Sequence, residues 1–372
     1  MQKRLDSIDI KILEALGVYG PRSISKVARN IDMPTSTVRD RIKILKSHFS
    51  LLLQAKVYHT FIGLKKAFVF ARAAPGHERL LWECMRANDY WFYLTARYDV
   101  AESFYGIYGI PINHIHEFEQ FVKQMKELGV ALSIDLSWST CIQEVSFTDE
   151  WYNHGLQAWS FKWDKWIDEI ENQGTSLPAT LVEPKSYPQK ADKIDIIILK
   201  ELYKDAECKL SDIANLLRIS SQRVQYHFEN HVISKGLIEG YTVFLPHFED
   251  ASETYCFRFH FCSKDSMAKF ALSFQGKPFV RSIGKIIGEN ALFVHIYLPR
   301  KEFRGFTDSL SKLIKTDAIE HYDYAIEDLS RKQAETIPYQ LFKKKSWIYD
   351  HEVHLRKLHE ITGKSSIQRK EG

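Results

Sequence analysis

The stretch DSIDIKILEAL at residues 6–16 recurs 186 positions later as DKIDIIILKEL at residues 192–202, with seven of eleven residues identical. At the same offset Ser25, Ala28 and Val38 fall on Ser211, Ala214 and Val224. Val27, Ile31, Leu51 and Leu52 meet Ile213, Leu217, Leu237 and Ile238. Farther on, FKWDKWI at 161–167 echoes FKKKSWI at 342–348, the offset having drifted to 181. A unit of about 185 residues stated twice predicts two similar halves, because a recurring sequence unit is a recurring structural unit. At 372 residues the chain exceeds what a single core serves.

Each unit opens with helical spacing. Ile8, Ile12, Leu13 and Leu16 lie on one helix face, with Asp6 at its start and Gly17, Gly20 and Pro21 at its end. A second helix is expected near residues 23–30. After the turn DMPTS comes a third, to about residue 47, with Thr35 or Ser36 as N-cap and Val38, Ile42 and Leu45 buried. The following LLLQAKVYH reads as an extended hairpin, which makes the head a winged helix-turn-helix. The body then alternates: strand at 66–73, helix at 78–87, two aromatic strands around a turn at Asp99, helix at 113–128, strand at 131–145. That is the βαββαβ, ferredoxin-like order, and TYCFRFHF, residues 266–274, FVRSIGKII, ALFVHIYL, residues 301–315 and AIEHYDYAI repeat it. The expected fold is α+β: head 1 at 1–60, body 1 at 64–147, a Trp-rich extension and linker at 148–190, head 2 at 191–246, body 2 at 252–329, and a basic extension at 330–372.

The pattern D-x-x-D-x-x-I-L-x-x-L, standing here as Asp6, Asp9, Ile12, Leu13 and Leu16 and again as Asp192, Asp195, Ile198, Leu199 and Leu202, resembles the opening of Lrp/AsnC (feast/famine) transcriptional regulators. TVRDRIKIL at 37–45 and RVQYHF at 223–228 stand at their recognition-helix position. The resemblance implies double-stranded DNA as partner, and bodies that pair through their sheets, here within one chain as a pseudo-dimer; a further homodimer and a small-molecule effector stay open. The family's KGLI-type ending is present only in the second copy, the first reading SHFSLLL. Its effector loop is reduced to ARYDVAES and IIGENA.

Charge agrees with a polyanion partner for the first head. Residues 1–48 hold ten Lys/Arg against five Asp/Glu, and residues 331–372 the same, in a chain of net charge +4. Residues 190–240 balance eight against eight, so head 1 is expected to dominate. The expected DNA-facing residues of head 1 are Ser36, Thr37, Arg39, Asp40, Arg41, Lys43 and Lys46, with Ser36, Thr37, Arg39 and Asp40 nearer the bases and Lys43 and Lys46 on phosphates. In head 2 they are Ser221, Gln222, Arg223, Gln225 and Tyr226, Gln being able to read adenine.

Other chemistry receives less support from the residues. There is no glycine-rich phosphate loop and no GxSxG elbow. His114 with His116, and Cys256 with Cys262, do not make a familiar metal set, so no metal, cofactor or enzyme activity is expected. The Trp159, Trp163 and Trp166 stripe reads as packing against a body or as a dimer surface. Siroheme decarboxylases also look like paired Lrp/AsnC-type units. Their Arg-rich segment and His-Asn-Tyr motif are not evident, the nearest candidates being His321–Tyr322 and His260. That enzyme, and a protein-assembly module, are the alternatives. Five cysteines without a CxxC pair, an N-terminus interrupted by Asp6, Asp9 and Glu14, and no long apolar run suggest a cytoplasmic chain.

Overall fold

The computed structural model describes residues 4–98, 102–140, 143–144, 147–248 and 250–368. Asp99, Cys141 and Val145 of the sequence reading lie outside them. Head 1 is α1 (Ser7–Tyr19), α2 (Ile24–Asn30) and α3 (Thr35–Phe49), followed by β1 (Leu52–Val57). Body 1 is β2 (Leu64–Ala73), α4 (Glu78–Arg86), β3 (Trp91–Tyr98), β4 (Ser103–Pro111), α5 (Ile115–Glu127) and β5 (Ala131–Ser139). A connecting region holds β6 (Gln143–Glu144), the small pair β7 (Tyr152–Asn153) and β8 (Ala158–Trp159), and α6 (Trp163–Glu171). Head 2 is α7 (Lys193–Lys204), α8 (Leu210–Leu217), α9 (Ser221–His227) and β9 (Ile238–Phe244), with a π-helical turn at Phe228–Ile233 extending α9. Body 2 is β10 (Ser252–His260), α10 (Lys264–Ser273), β11 (Val280–Lys285), β12 (Ala291–Pro299), α11 (Phe303–Lys315) and β13 (His321–Ala334). The pair β14 (Phe342–Lys343) and β15 (Ser346–Trp347) and α12 (His351–Gln368) close the chain.

The same element order therefore occurs twice, each time as a helix-turn-helix followed by βαββαβ. Both first helices start with the same capping box: Asp6 and Asp192 accept backbone N–H groups while Asp9 and Asp195 reach back to the cap. The third helix departs from expectation. It begins at Thr35 after Pro34, with no side-chain cap, because Pro34 already holds its backbone extended.

Among the described residues, neither head forms the expected local wing hairpin. Each head supplies one strand, and β1 pairs antiparallel with β9, from Leu52 opposite Phe244 to Val57 opposite Ile238. An edge strand needs a partner, and each finds it in the other head. Gly20, at φ +72°, lies against the ring of Tyr241 from β9, where a Cβ would stand 2.2 Å from a ring carbon. Only glycine fits that approach. The two heads thus clasp one another.

The bodies form one nine-stranded sheet in the order β5-β2-β4-β3-β13-β10-β12-β11-β6. Each half keeps the ferredoxin-like order, fourth strand, first, third, second. The halves join where β3 pairs with β13. At the other side β6 pairs with β11, and the Thr140 N–H donates to Lys285 O, so the sheet closes on itself. Successive strand residues face opposite sides. One side meets the helices, and the other faces inward, where Phe68, Tyr105, Ile107, Cys256 and Phe293 form a separate buried cluster.

The tails are exchanged. Trp151 and Trp166, on the connecting region after body 1, are buried in the core of body 2, as the packing reading of the Trp stripe anticipated. Phe342, Trp347, Tyr349 and Leu358, after body 2, are buried with body 1. Among the described residues, no helix is long and apolar enough to cross a membrane.

Candidate functional site

The helix-turn-helix surfaces come first, because the sequence assigned residues to them. On α3, Ser36, Arg39, Asp40, Lys43 and Lys46 are exposed and Thr37 is half-buried, since Val38, Ile42 and Leu45 occupy the inner face. Arg41 turns the other way. Its guanidinium donates to Asp6 Oδ2 at 2.6 Å and Asp9 Oδ1 at 2.9 Å, tying α3 to the cap of α1. Lys43 pairs with Asp40 at 3.0 Å, and Lys46 with Glu207 of head 2. On α9, Ser221, Gln222, Arg223, Gln225 and Tyr226 are all exposed around Val224. Gln225 also hydrogen-bonds Glu229 one turn on.

The inward face of the closed sheet holds a polar group set that the sequence reading missed. Glu327 on β13 is only 3% exposed. The Tyr93 hydroxyl, from β3 of the other body, donates to its Oε2 at 2.8 Å. His295 Nε2 on β12 lies 3.0 Å from Glu327 Oε1, and its Nδ1 shares a hydrogen bond with Ser282 Oγ on β11 at 2.7 Å. Cys256, His295 and Glu327 offer ligand-type atoms within 4.8 Å of one another. Five strands, β3 of one body and β10, β11, β12 and β13 of the other, thus contribute to one buried polar set.

Burial decides which of these groups carry protons. It pushes the Cys256 thiol far up, so the sulfur is protonated. Burial, then the neighbouring Glu327 carboxylate, holds the Tyr93 phenol well above its ordinary range. Tyr105 is fully enclosed and likewise kept as a phenol by burial. Glu327 and His295 therefore lie among buried phenols and a thiol that keep their protons, where burial strengthens electrostatic interactions.

Around this set the surface is aromatic and then cationic. Phe70 and Tyr105 stack at 5.1 Å and 19°, and Phe68 lies 4.1 Å from Phe293 of the other body. The guanidinium groups of Arg97 and Arg258 stand 5.0 and 5.7 Å from the Phe70 ring. Arg258 also bridges the bodies, pairing with Asp135 of β5 and, at 3.1 Å, with Asp323 of β13.

The residues weighed for other chemistry lie elsewhere. His114 hydrogen-bonds Glu117 and stacks on Tyr349, and His116 contacts Gln120. Cys262 is exposed, apart from buried Cys256. His260 stacks on His321 at 4.3 Å, and Tyr322 packs beside Phe257 and Phe259. No sequence spacing announces the Glu327 set, since each member is a single residue on a different strand. Strand alternation, which puts Tyr93, Phe293 and His295 on inward faces, was the available signal.

Comparison with known proteins bears on both regions. Residues 5–46 match the AsnC-type helix-turn-helix domain, and residues 192–230 a winged helix-turn-helix DNA-binding domain. No curated protein matches the sequence. Among solved structures, the siroheme decarboxylase NirDL is similar at 13% identity and a TM-score of 0.50, over 96% of this chain and 98% of that one. The same enzyme with an iron-uroporphyrin III analogue gives 14% identity and 0.49, over 97% and 100%. AsnC of E. coli is similar at 17% identity over 40% of this chain and 98% of that one, with a TM-score of 0.28. At such identities the likeness to NirDL is one of fold. The expectation that a chain of this design is not an enzyme is corrected by that likeness, because NirDL, which shares the paired fold end to end, is itself an enzyme. The chain carries an AsnC-type helix-turn-helix and a second winged helix-turn-helix on an α+β fold shared with NirDL.

Proposed function

We propose that the chain is an enzyme of the siroheme-decarboxylase type, doing acid–base chemistry on a carboxylate-bearing tetrapyrrole inside the closed sheet. The tandem repeat is, on this reading, a duplication that made the two halves of one site a single chain. The observation that carries the proposal is the buried Ser282–His295–Glu327–Tyr93 set, assembled from both bodies. Loss of CO₂ leaves an electron pair on carbon that must be protonated. His295, beside the Glu327 carboxylate, is placed to deliver that proton, and Tyr93 orients the carboxylate. Phe70, partly buried and backed by Tyr105, offers an apolar face with Arg97 and Arg258 beside it, and a substrate carboxylate would take over Arg258 from Asp135 and Asp323. An absorbance titration with siroheme tests the site. A shifted Soret band that Arg258→Ala weakens is the expected result, and an unshifted spectrum at all ratios contradicts it.

A second reading is favoured by the AsnC-type match at residues 5–46 together with the exposed Ser36, Arg39, Asp40 and Lys43 of α3. On this reading head 1 contacts double-stranded DNA, with Ser36, Thr37, Arg39 and Asp40 toward the bases and Lys43 and Lys46 toward phosphates. Arg41 is occupied at the α1 cap, and the neutral head 2 contributes less through Ser221, Gln222, Arg223, Gln225 and Tyr226. Fluorescence anisotropy with duplex DNA at two salt concentrations tests it. Salt-sensitive binding lost in the Arg39→Ala/Lys43→Ala double variant supports it, and no binding at low salt removes it.

A further inference from the structure

The start of α7 gathers Asp192, Asp195, His227 and His231. Asp195 is wholly buried, and a buried carboxylate requires a compensating positive charge. In head 1 the equivalent pair, Asp6 and Asp9, has Arg41. At the 186-residue offset Arg41 becomes His227, and Leu45 becomes His231. Among the described residues, neither Asp192 nor Asp195 has a Lys or Arg ion pair; both face the two imidazoles.

The geometry points to a binding site for one divalent transition-metal ion of the zinc type, held by Asp192, Asp195, His227 and His231. Backbone N–H groups occupy the other carboxylate oxygens. Asp192 Oδ1 accepts from Ile194 and Asp195, and Asp195 Oδ2 from Asp192. Asp192 Oδ2 and Asp195 Oδ1 are thereby turned toward the imidazoles. His227 Nδ1 lies 3.6 and 2.8 Å from these two oxygens. His231 Nδ1 lies 3.9 and 3.2 Å from them, and 3.1 Å from Asp195 Oδ2. Those separations bracket the edge of about 3.4 Å that a tetrahedron with bonds of ~2.1 Å requires. The donor set, two neutral imidazoles and two carboxylates, suits Zn²⁺, and the capping hydrogen bonds fix the carboxylates before the ion arrives. The ion does in head 2 what Arg41 does in head 1, fastening the third helix to the cap of the first.

The test is titration of the full-length, chelator-stripped protein with Co²⁺, followed by displacement with Zn²⁺. Wild type is expected to show the visible absorption of four-coordinate Co²⁺, to release it to Zn²⁺ at one equivalent, and to melt at higher temperature with Zn²⁺. His227→Arg copies the head 1 arrangement, so it is expected to fold, with an unchanged circular dichroism spectrum, and to lose the equivalent. His231→Gln is expected to weaken uptake at least tenfold. No uptake by wild type overturns the proposal, as does equal uptake by wild type and His227→Arg, which would put the ion elsewhere.

Discussion

At the cap of α1 two carboxylates close on the Arg41 guanidinium, whereas at the cap of α7 the same two carboxylates face a pair of histidines. The first arrangement carries its own permanent charge. The second, on the proposal above, depends on an ion that binds. A similar division runs through the tails: the Trp151–Trp166 region of the first unit fills the core of the second body, and the segment around Trp347 covers the first. Equal element order has therefore not made equal halves. Each half is completed by residues of the other, which ties the stability of one to the integrity of both.

The largest test of that asymmetry is in the tails. Trp166 is fully buried among Phe270, Phe274 and Phe306 and donates to Ser273. Trp166→Ala is expected to cost about 3–5 kcal/mol in chemical denaturation. Trp347 is 8% exposed, so Trp347→Ala is expected to cost less. Equal losses would mean that the two exchanged tails are energetically alike.

Acidification probes the segments that follow the two head strands. Burial, then Arg281, pushes His247 down to about 3, and burial with Lys66 holds His59 well below its ordinary value. The unfolded chain binds protons on these imidazoles below pH ~6.5, and the folded chain does not. Stability is therefore full above that pH and falls as pH drops from ~6.5 toward ~3, by a few kcal/mol. Melting temperatures measured across this window should show the decline, and His247→Gln should make it shallower, leaving the part due to His59. A flat profile for wild type would show that protons reach these imidazoles in the folded state.

The heads give smaller effects. Arg41→Ala leaves Asp6 and Asp9 without their cation and should cost about 1–2 kcal/mol of stability. Arg39→Ala should leave the melting temperature unchanged, because Arg39 is exposed, yet weaken duplex binding more than Arg223→Ala. Equal losses of affinity would contradict the dominance of head 1.

Much of the fold was legible because its signals are local. The repeated D-x-x-D-x-x-I-L-x-x-L carries the capping boxes, and helix or strand periodicity carries the order of elements. What joins the halves was not. Strand β1 finds its partner about 185 residues away in β9, so a local reading gives a hairpin where the chain makes a clasp. Arg41 sits on a helix rich in cations, and only its angular position relative to Asp6 and Asp9 removes it from the exposed cationic side. The repeat did hold one usable signal: it sets His227 and His231 on Arg41 and Leu45, replacing a guanidinium with a pair of imidazoles. Glu327, His295, Ser282 and Tyr93 come together only when two sheets close, which no single strand declares.

The central claim is that this closed interior performs acid–base chemistry on a tetrapyrrole. Its most direct test is anaerobic incubation of the full-length protein with siroheme, with the product weighed by mass spectrometry. Loss of CO₂ from the tetrapyrrole with wild type, and its absence with a folded Glu327→Gln variant that still binds siroheme, is the predicted result. Siroheme recovered unchanged from wild type, or converted equally by Glu327→Gln, would contradict it.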